Sequence, residues 1–215
     1  MCGRYSVLTE DEIIEVRQVL KDVSLVLARD ELENYENQKQ ETAPTDMSPV
    51  VTAGVGGFAF EYAKFGFLRW DGKGVIINAR SETARDKSMF KNHVRTGRCI
   101  IPASGYFEWK KEEAVKKKMK HLINDPRGNL LFMAGLYRDG PKGREFVILT
   151  KAPHGSICEI HDRMPVILPH DKIEPWLGGT LPIDELALLD YECDCSPCGD
   201  AVGCGQMTLQ LSTVV

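Results

Sequence analysis

The stretch SPVVTAGVGGFAFEYAKFGFLRWDGKGVII, residues 48–77, decides the fold class. Its apolar runs at 48–53, 58–62, 64–68 and 75–77 are short and rich in Val, Phe and Ile, a composition that suits pleated strands. Gly54, Gly56, Gly57, Gly72 and Gly74 separate the runs as turns. Further strand candidates follow at 99–101, 105–109, 130–137 and 145–150. Helical signals are fewer. Thr9 and Glu12 form the spacing of a capping box, and Ile13, Ile14, Val16, Val19 and Leu20 then recur at helical intervals. Residues 171–176 and 182–189 read as short helices, and 81–92 as a helix and turn. Residues 30–42 are polar and aperiodic, which predicts loop or solvated helix, and Ala43-Pro44-Thr45 predicts an extended turn. Many short strands with few helices predict an α+β domain over residues 1–190. A Cys-rich C-terminal segment, 191–215, either completes that domain or trails from it.

Composition narrows the function. The chain has 215 residues, 43% hydrophobic and 27% charged, enough to bury a core without staples. No apolar run approaches the roughly 20 residues of a membrane helix, so no membrane role is expected. The opening MCGRYSVLTEDE lacks the basic and apolar regions of a signal peptide. Seven cysteines, an odd number with four crowded into 193–204, then predict a reduced, cytoplasmic protein. A net charge of −4 argues against indiscriminate nucleic-acid binding. Between Arg80 and Lys120, however, twelve basic residues face five acidic ones, a local excess that attracts phosphates. The run 116–120 within it also reads as a solvated face.

Several residues carry chemistry. Removal of Met1 before the small Cys2 leaves an amine and a thiol on adjacent carbons. The amine, with a pKa of about 7.7–8.0, is partly neutral near pH 7, and the thiol at about 8.5 is partly thiolate. Such a pair condenses with an aldehyde to a Schiff base and closes a thiazolidine, or acts as an N-terminal nucleophile. Asn78 and Arg80 directly follow the apolar Val75-Ile76-Ile77, where polar groups need compensation. Glu108, between Phe107 and Trp109, is either a carboxyl with a raised pKa or the outward residue of an alternating strand. His161, beside Asp162 and Arg163, is a proton shuttle or a structural histidine.

Taken together, MCGRY at 1–5, APT at 43–45, INARSET at 77–83, IPASGYFEW at 101–109 and EIHDRMPVIL at 159–168 resemble the SOS response-associated peptidase family, also known for abasic-site processing proteins. The resemblance implies a mixed, mainly antiparallel β core flanked by short helices. It implies covalent capture of abasic sites in single-stranded DNA by mature Cys2, protecting the lesion, with lyase-like Schiff-base chemistry and a peptidase or autoproteolytic activity. Asn78 would hold the sugar and the N-terminus, Glu108 would handle protons near the amine, and His161 would assist ring opening. Arg80 and Arg163, and more weakly Arg4 and Arg85, would meet phosphates, and Trp70 would stack on bases. No cofactor is implied. The protein would be cytoplasmic, at the nucleoid when bound to DNA, and serve the DNA-damage response.

Two departures stand out. Phe65-Gly66 occupies the place of the family's usual Trp-Gly. Cys193, Cys195, Cys198 and Cys204 lie outside the family pattern, and read as reduced thiols or as a thiolate zinc site. Two other function classes remain open: a thiol peptidase with Cys2 as nucleophile, and a noncovalent reader of modified bases.

Overall fold

A computed structural model describes residues 2–20, 23–25, 41–54, 56–111 and 118–198. In chain order the strands are β1 (Arg4–Ser6), β2 (Val23–Leu25), β3 (Glu41–Thr42), β4 (Met47–Gly54), β5 (Gly57–Phe65), β6 (Phe67–Leu68), β7 (Val75–Ile76) and β8 (Asn78–Arg80). They continue as β9 (Arg98–Ala103), β10 (Tyr106–Lys111), β11 (Lys118–Asn124), β12 (Leu131–Gly140), β13 (Gly143–Lys151), β14 (Met164–Pro165) and β15 (Asp194–Pro197). The α-helices are α1 (Glu10–Val19), α2 (His93–Thr96) and α3 (His170–Leu177). Among the described residues, no helix is long and apolar enough to cross a membrane.

A closed ring of strands forms the centre. Antiparallel pairing links β5 to β4, β4 to β9, β9 to β12 and β12 to β13. A short parallel pairing of β13 with β5, Glu145 with Lys64 and Phe146 with Phe65, closes it. Phe65 stacks on Phe146 at 5.1 Å and takes Tyr5 edge-on at 5.6 Å, so phenylalanine is fully buried and packed at this position. Beyond that point β8 replaces β5 along β13, with Asn78 opposite Ile148 and Arg80 opposite Thr150. A second, fully antiparallel sheet runs β15-β11-β10-β1-β3.

Both faces of the ring are covered. Val50, Ile101, Phe146 and Ile148 join one apolar cluster, while Val51, Ile100, Val147 and Leu149 join another, as the period of two requires. Ile13, Val16 and Leu20 of the first helical segment and Ile173, Trp176 and Leu177 of α3 fill the second cluster. Tyr5, Tyr106 and Ile123 of the five-stranded sheet fill the first. The architecture is α+β with a mainly antiparallel core, as expected.

Local predictions fare unevenly. The Thr9 capping box forms: the Glu12 N–H donates to Thr9 Oγ1 at 3.3 Å, and the Thr9 N–H donates to Glu12 Oε2 at 2.7 Å. Residues 81–92 hold turns without the expected helix, because bonds spanning three residues alternate with bonds spanning four and no continuous ladder forms. The loop expected at 30–42 lies outside the described residues except for Glu41–Thr42, which form β3.

Candidate active site

The switch of partners along β13 builds the site. Because β8 enters the ring where β5 leaves it, Asn78 comes beside the chain's N-terminal segment. Its Nδ2 donates to the Cys2 carbonyl at 3.1 Å. Its Oδ1 is buried and makes no hydrogen bond among the described residues, an acceptor available to a ligand or to water. Cys2 leads into β1 and is fully buried, with Sγ 3.9 Å from the Arg4 carbonyl. Burial, reinforced by the Glu108 charge, pushes its thiol well above the ordinary range, so sulfur is held as the neutral thiol.

Glu108 stands on β10, paired with β11 through His121. Only 3% of it is exposed, and Phe107 on the opposite side is buried too. The outward-facing alternative for Glu108 is therefore wrong: both faces of this strand are covered, so alternation does not send either set to solvent. Burial pushes the Glu108 carboxyl up, against the lowering influence of nearby positive charge that includes His161. His161 Nε2 lies 3.9 Å from Glu108 Oε2, an ion-pair distance too long for a hydrogen bond. On the other side of the ring, Nδ1 accepts the Arg163 N–H at 3.1 Å and sits 2.7 Å from Asp162 Oδ1. Those two contacts need opposite forms of Nδ1, a lone pair for the first and a proton for the second. The tautomer whose Nδ1 accepts the Arg163 N–H is the one that turns an Nε2 proton toward Glu108.

The arginines differ in what they are free to do. Arg80 ends β8, is exposed, and makes no ion pair among the described residues. Arg163 is largely covered, 12% exposed, and gives both Nη atoms to Glu82 at 2.8 Å. Its Nη2 also donates to the Thr150 carbonyl at 2.6 Å. A phosphate there would compete with Glu82 for both Nη atoms. Arg85 pairs with Asp184 and, at 3.8 Å, with Asp86. Arg4 pairs with Glu41 at 3.3 Å and lies over the Trp109 ring. Glu82 and Thr150, which brace Arg163, carried no sequence signal of that task.

Trp70 sits between β6 and β7 and is 91% exposed, an open aromatic face. The hairpin is fastened at its base. Glu145 Oε2 accepts the Leu68 N–H at 3.0 Å, and Arg138 donates to the Leu68 carbonyl at 2.7 Å and to Glu145 at 2.9 Å.

The C-terminal thiols take a different position. Cys193 and Cys195 pack against the cluster that holds Cys2, and Cys195 pairs with Ile123 across β15 and β11. Burial pushes the Cys193 thiol up to about 12. Among the described residues no three His, Cys, Asp or Glu side chains converge as metal ligands, and Cys204 lies outside them.

The chain is similar to known proteins. It is 31% identical over 198 residues to the abasic site processing protein YoqW of Bacillus subtilis, covering 83% of this chain and 80% of that one. It is 38% identical over 128 residues to the abasic site processing protein YoaM of the same organism, and that match spans just over half of each, 55% and 56%. A crystal structure of a protein from Bacteroides thetaiotaomicron shares the fold, with a TM-score of 0.76 at 23% identity over 93% of both chains. The family model described as SOS response associated peptidase (SRAP) matches residues 1–200, and the chain belongs to that family.

Proposed function

We propose that the protein captures abasic sites in single-stranded DNA through the mature N-terminal Cys2. The amine adds to the aldehyde carbon of the open sugar and one water leaves, giving an imine. The thiol sulfur then adds to the imine carbon and its proton ends on nitrogen. The net change is loss of one water, with no oxidation. The observation that carries the reading is the meeting of Asn78, Glu108 and His161 around Cys2 from four separate parts of the chain. Relatives named abasic site processing proteins support the same lesion as substrate.

The electrostatics favour amine-first chemistry. A buried neutral thiol is a poor opening nucleophile, which counts against a thiol peptidase. A carboxyl with a raised pKa, beside a histidine, is suited to move protons at carbinolamine and imine stages near neutral pH. Arg80 is the leading phosphate contact and Trp70 the base-stacking surface. Residues 1–190 would form the working domain, with the segment from residue 191 fastened onto it through β15. The test is the intact mass of denatured protein incubated with abasic single-stranded DNA. A chain lacking Met1, joined to the DNA with loss of one water, is expected. Cys2→Ala should give only an imine that borohydride traps. A stable adduct formed by Cys2→Ala or by Met1-retaining protein overturns the thiazolidine reading.

A further inference from the structure

Tyr106 opens β10, directly opposite Tyr5 and two residues before Glu108 on the same strand face. It is completely buried, yet among the described residues its hydroxyl makes no hydrogen bond. Buried hydroxyls are nearly always partnered, and an orphan calls for an explanation. Packing does not supply one, since a phenylalanine ring would fill the same space without stranding an oxygen. The ring shares its apolar cluster with Cys2, Cys193 and Cys195. The charges of Cys2 and Glu108 both bear on its phenol. Cys2 Sγ now faces the Arg4 carbonyl in a weak contact of 3.9 Å. Negative charge develops on this sulfur as the thiol gives up its proton, and is drawn away again as the bond to carbon forms.

We propose that Tyr106 is a further catalytic residue, whose hydroxyl donates a hydrogen bond to the Cys2 sulfur as the thiol loses its proton ahead of ring closure. The role rests on the covalent reading above. In that step a carbon–sulfur bond forms and the carbon–nitrogen π pair moves to nitrogen. The thiol proton passes to nitrogen by way of Glu108 or His161, and the phenol keeps its own proton. Burial above all, then Cys193, Cys2 and Glu108, pushes the Tyr106 phenol well above its usual range, so the donor stays protonated throughout. A neutral donor in a dry site stabilises the charge that develops on sulfur as its proton leaves, which raises the share of the reactive thiolate.

The test compares wild type with Tyr106→Phe in single turnover on an abasic single-stranded oligonucleotide. Samples are quenched with borohydride at intervals and digested, and the N-terminal peptide–nucleotide is weighed. A reduced imine carries two hydrogens more than a thiazolidine, so the two stages separate. Tyr106→Phe should form imine at close to the wild-type rate and convert it about tenfold or more slowly. Its thermal midpoint should hold or rise, because the oxygen removed has no partner among the described residues. Conversion at the wild-type rate overturns the proposal. So does a lowered midpoint with both stages slowed equally, which marks a structural hydroxyl bound to water. If wild type itself gives no adduct, the covalent reading falls and this role falls with it.

Discussion

The Asn78 side chain and the Cys2 carbonyl are joined by a 3.1 Å hydrogen bond across seventy-six positions of sequence. The bond exists because β13 pairs with β5 only as far as Phe146 and then takes up β8 from Ile148 onward. Closure of the ring and assembly of the site therefore have one cause.

Asn78→Ala should slow covalent capture by about five- to tenfold, the equivalent of roughly 1 kcal/mol for one lost hydrogen bond. The loss should appear in the single-turnover rate on preformed abasic DNA. A wild-type rate would remove Asn78 from the site.

Glu108 should make the protein less stable as pH rises. Its folded pKa lies above the unfolded value, chiefly through burial, so the folded state holds the proton more tightly. Stability then falls as pH climbs from the ordinary glutamate range through the raised value. Glu108→Gln should flatten that slope, matching wild type in acid and exceeding it at neutral pH in thermal melts. It should also slow capture by about 10²–10⁴-fold, the usual contribution of general acid–base catalysis. Identical melting curves across the pH range would show that burial does not strain this carboxyl.

Much of this was legible in the sequence, and the failures share a physical cause. The Thr9–Glu12 cap is local, so four residues sufficed to read it. Most strands of the ring were visible as apolar runs. In the second sheet β11 was not, because it begins inside the lysine-rich run and reads as solvated charge, although its Ile123 is fully buried. β15 was hidden by its Asp and Cys content, and only pairing with β11 makes it a strand. The motifs named Cys2, Asn78, Glu108 and His161, but not the partner switch along β13 that draws Asn78 to Cys2. Arg163 shows a related gap: a sequence shows a guanidinium but not the Glu82 that pairs with it.

Arg80 and Arg163 should therefore separate. Arg80→Ala should flatten the salt dependence of single-stranded DNA binding by one contact, about 0.7 in slope, with no change in thermal midpoint. Arg163→Ala should instead cost about 1–2 kcal/mol of stability, discounted for the partial exposure of Glu82. The Glu82 carboxyl is held below its ordinary value by hydrogen bonds from Arg163. Its contribution is present above the ordinary glutamate range and disappears as pH falls through the lowered value, so the deficit should shrink in acid. A full slope change in Arg163→Ala without loss of stability would return it to the phosphate contacts.

The hairpin that bears Trp70 offers the sharpest division between folding and binding. Gly66 precedes it with a φ of +107°, a conformation that side chains resist. A Cβ there would meet the Val75 Cβ and Cγ2 at 2.7 Å, and Val75 cannot retreat without breaking its pairing with Leu68. Gly66→Ala should cost about 2–4 kcal/mol from the combined strain and overlap, read as a lowered denaturation midpoint. Trp70 is almost wholly exposed, so Trp70→Ala removes little buried surface and should leave that midpoint in place. If a base stacks on the indole, the same variant should lose roughly 1–3 kcal/mol of single-stranded DNA affinity, about five- to 150-fold. Trp70→Phe keeps an aromatic face and should restore most of it. Equal affinity in wild type and Trp70→Ala would leave the exposed indole without a part in binding, whatever Gly66→Ala does to stability.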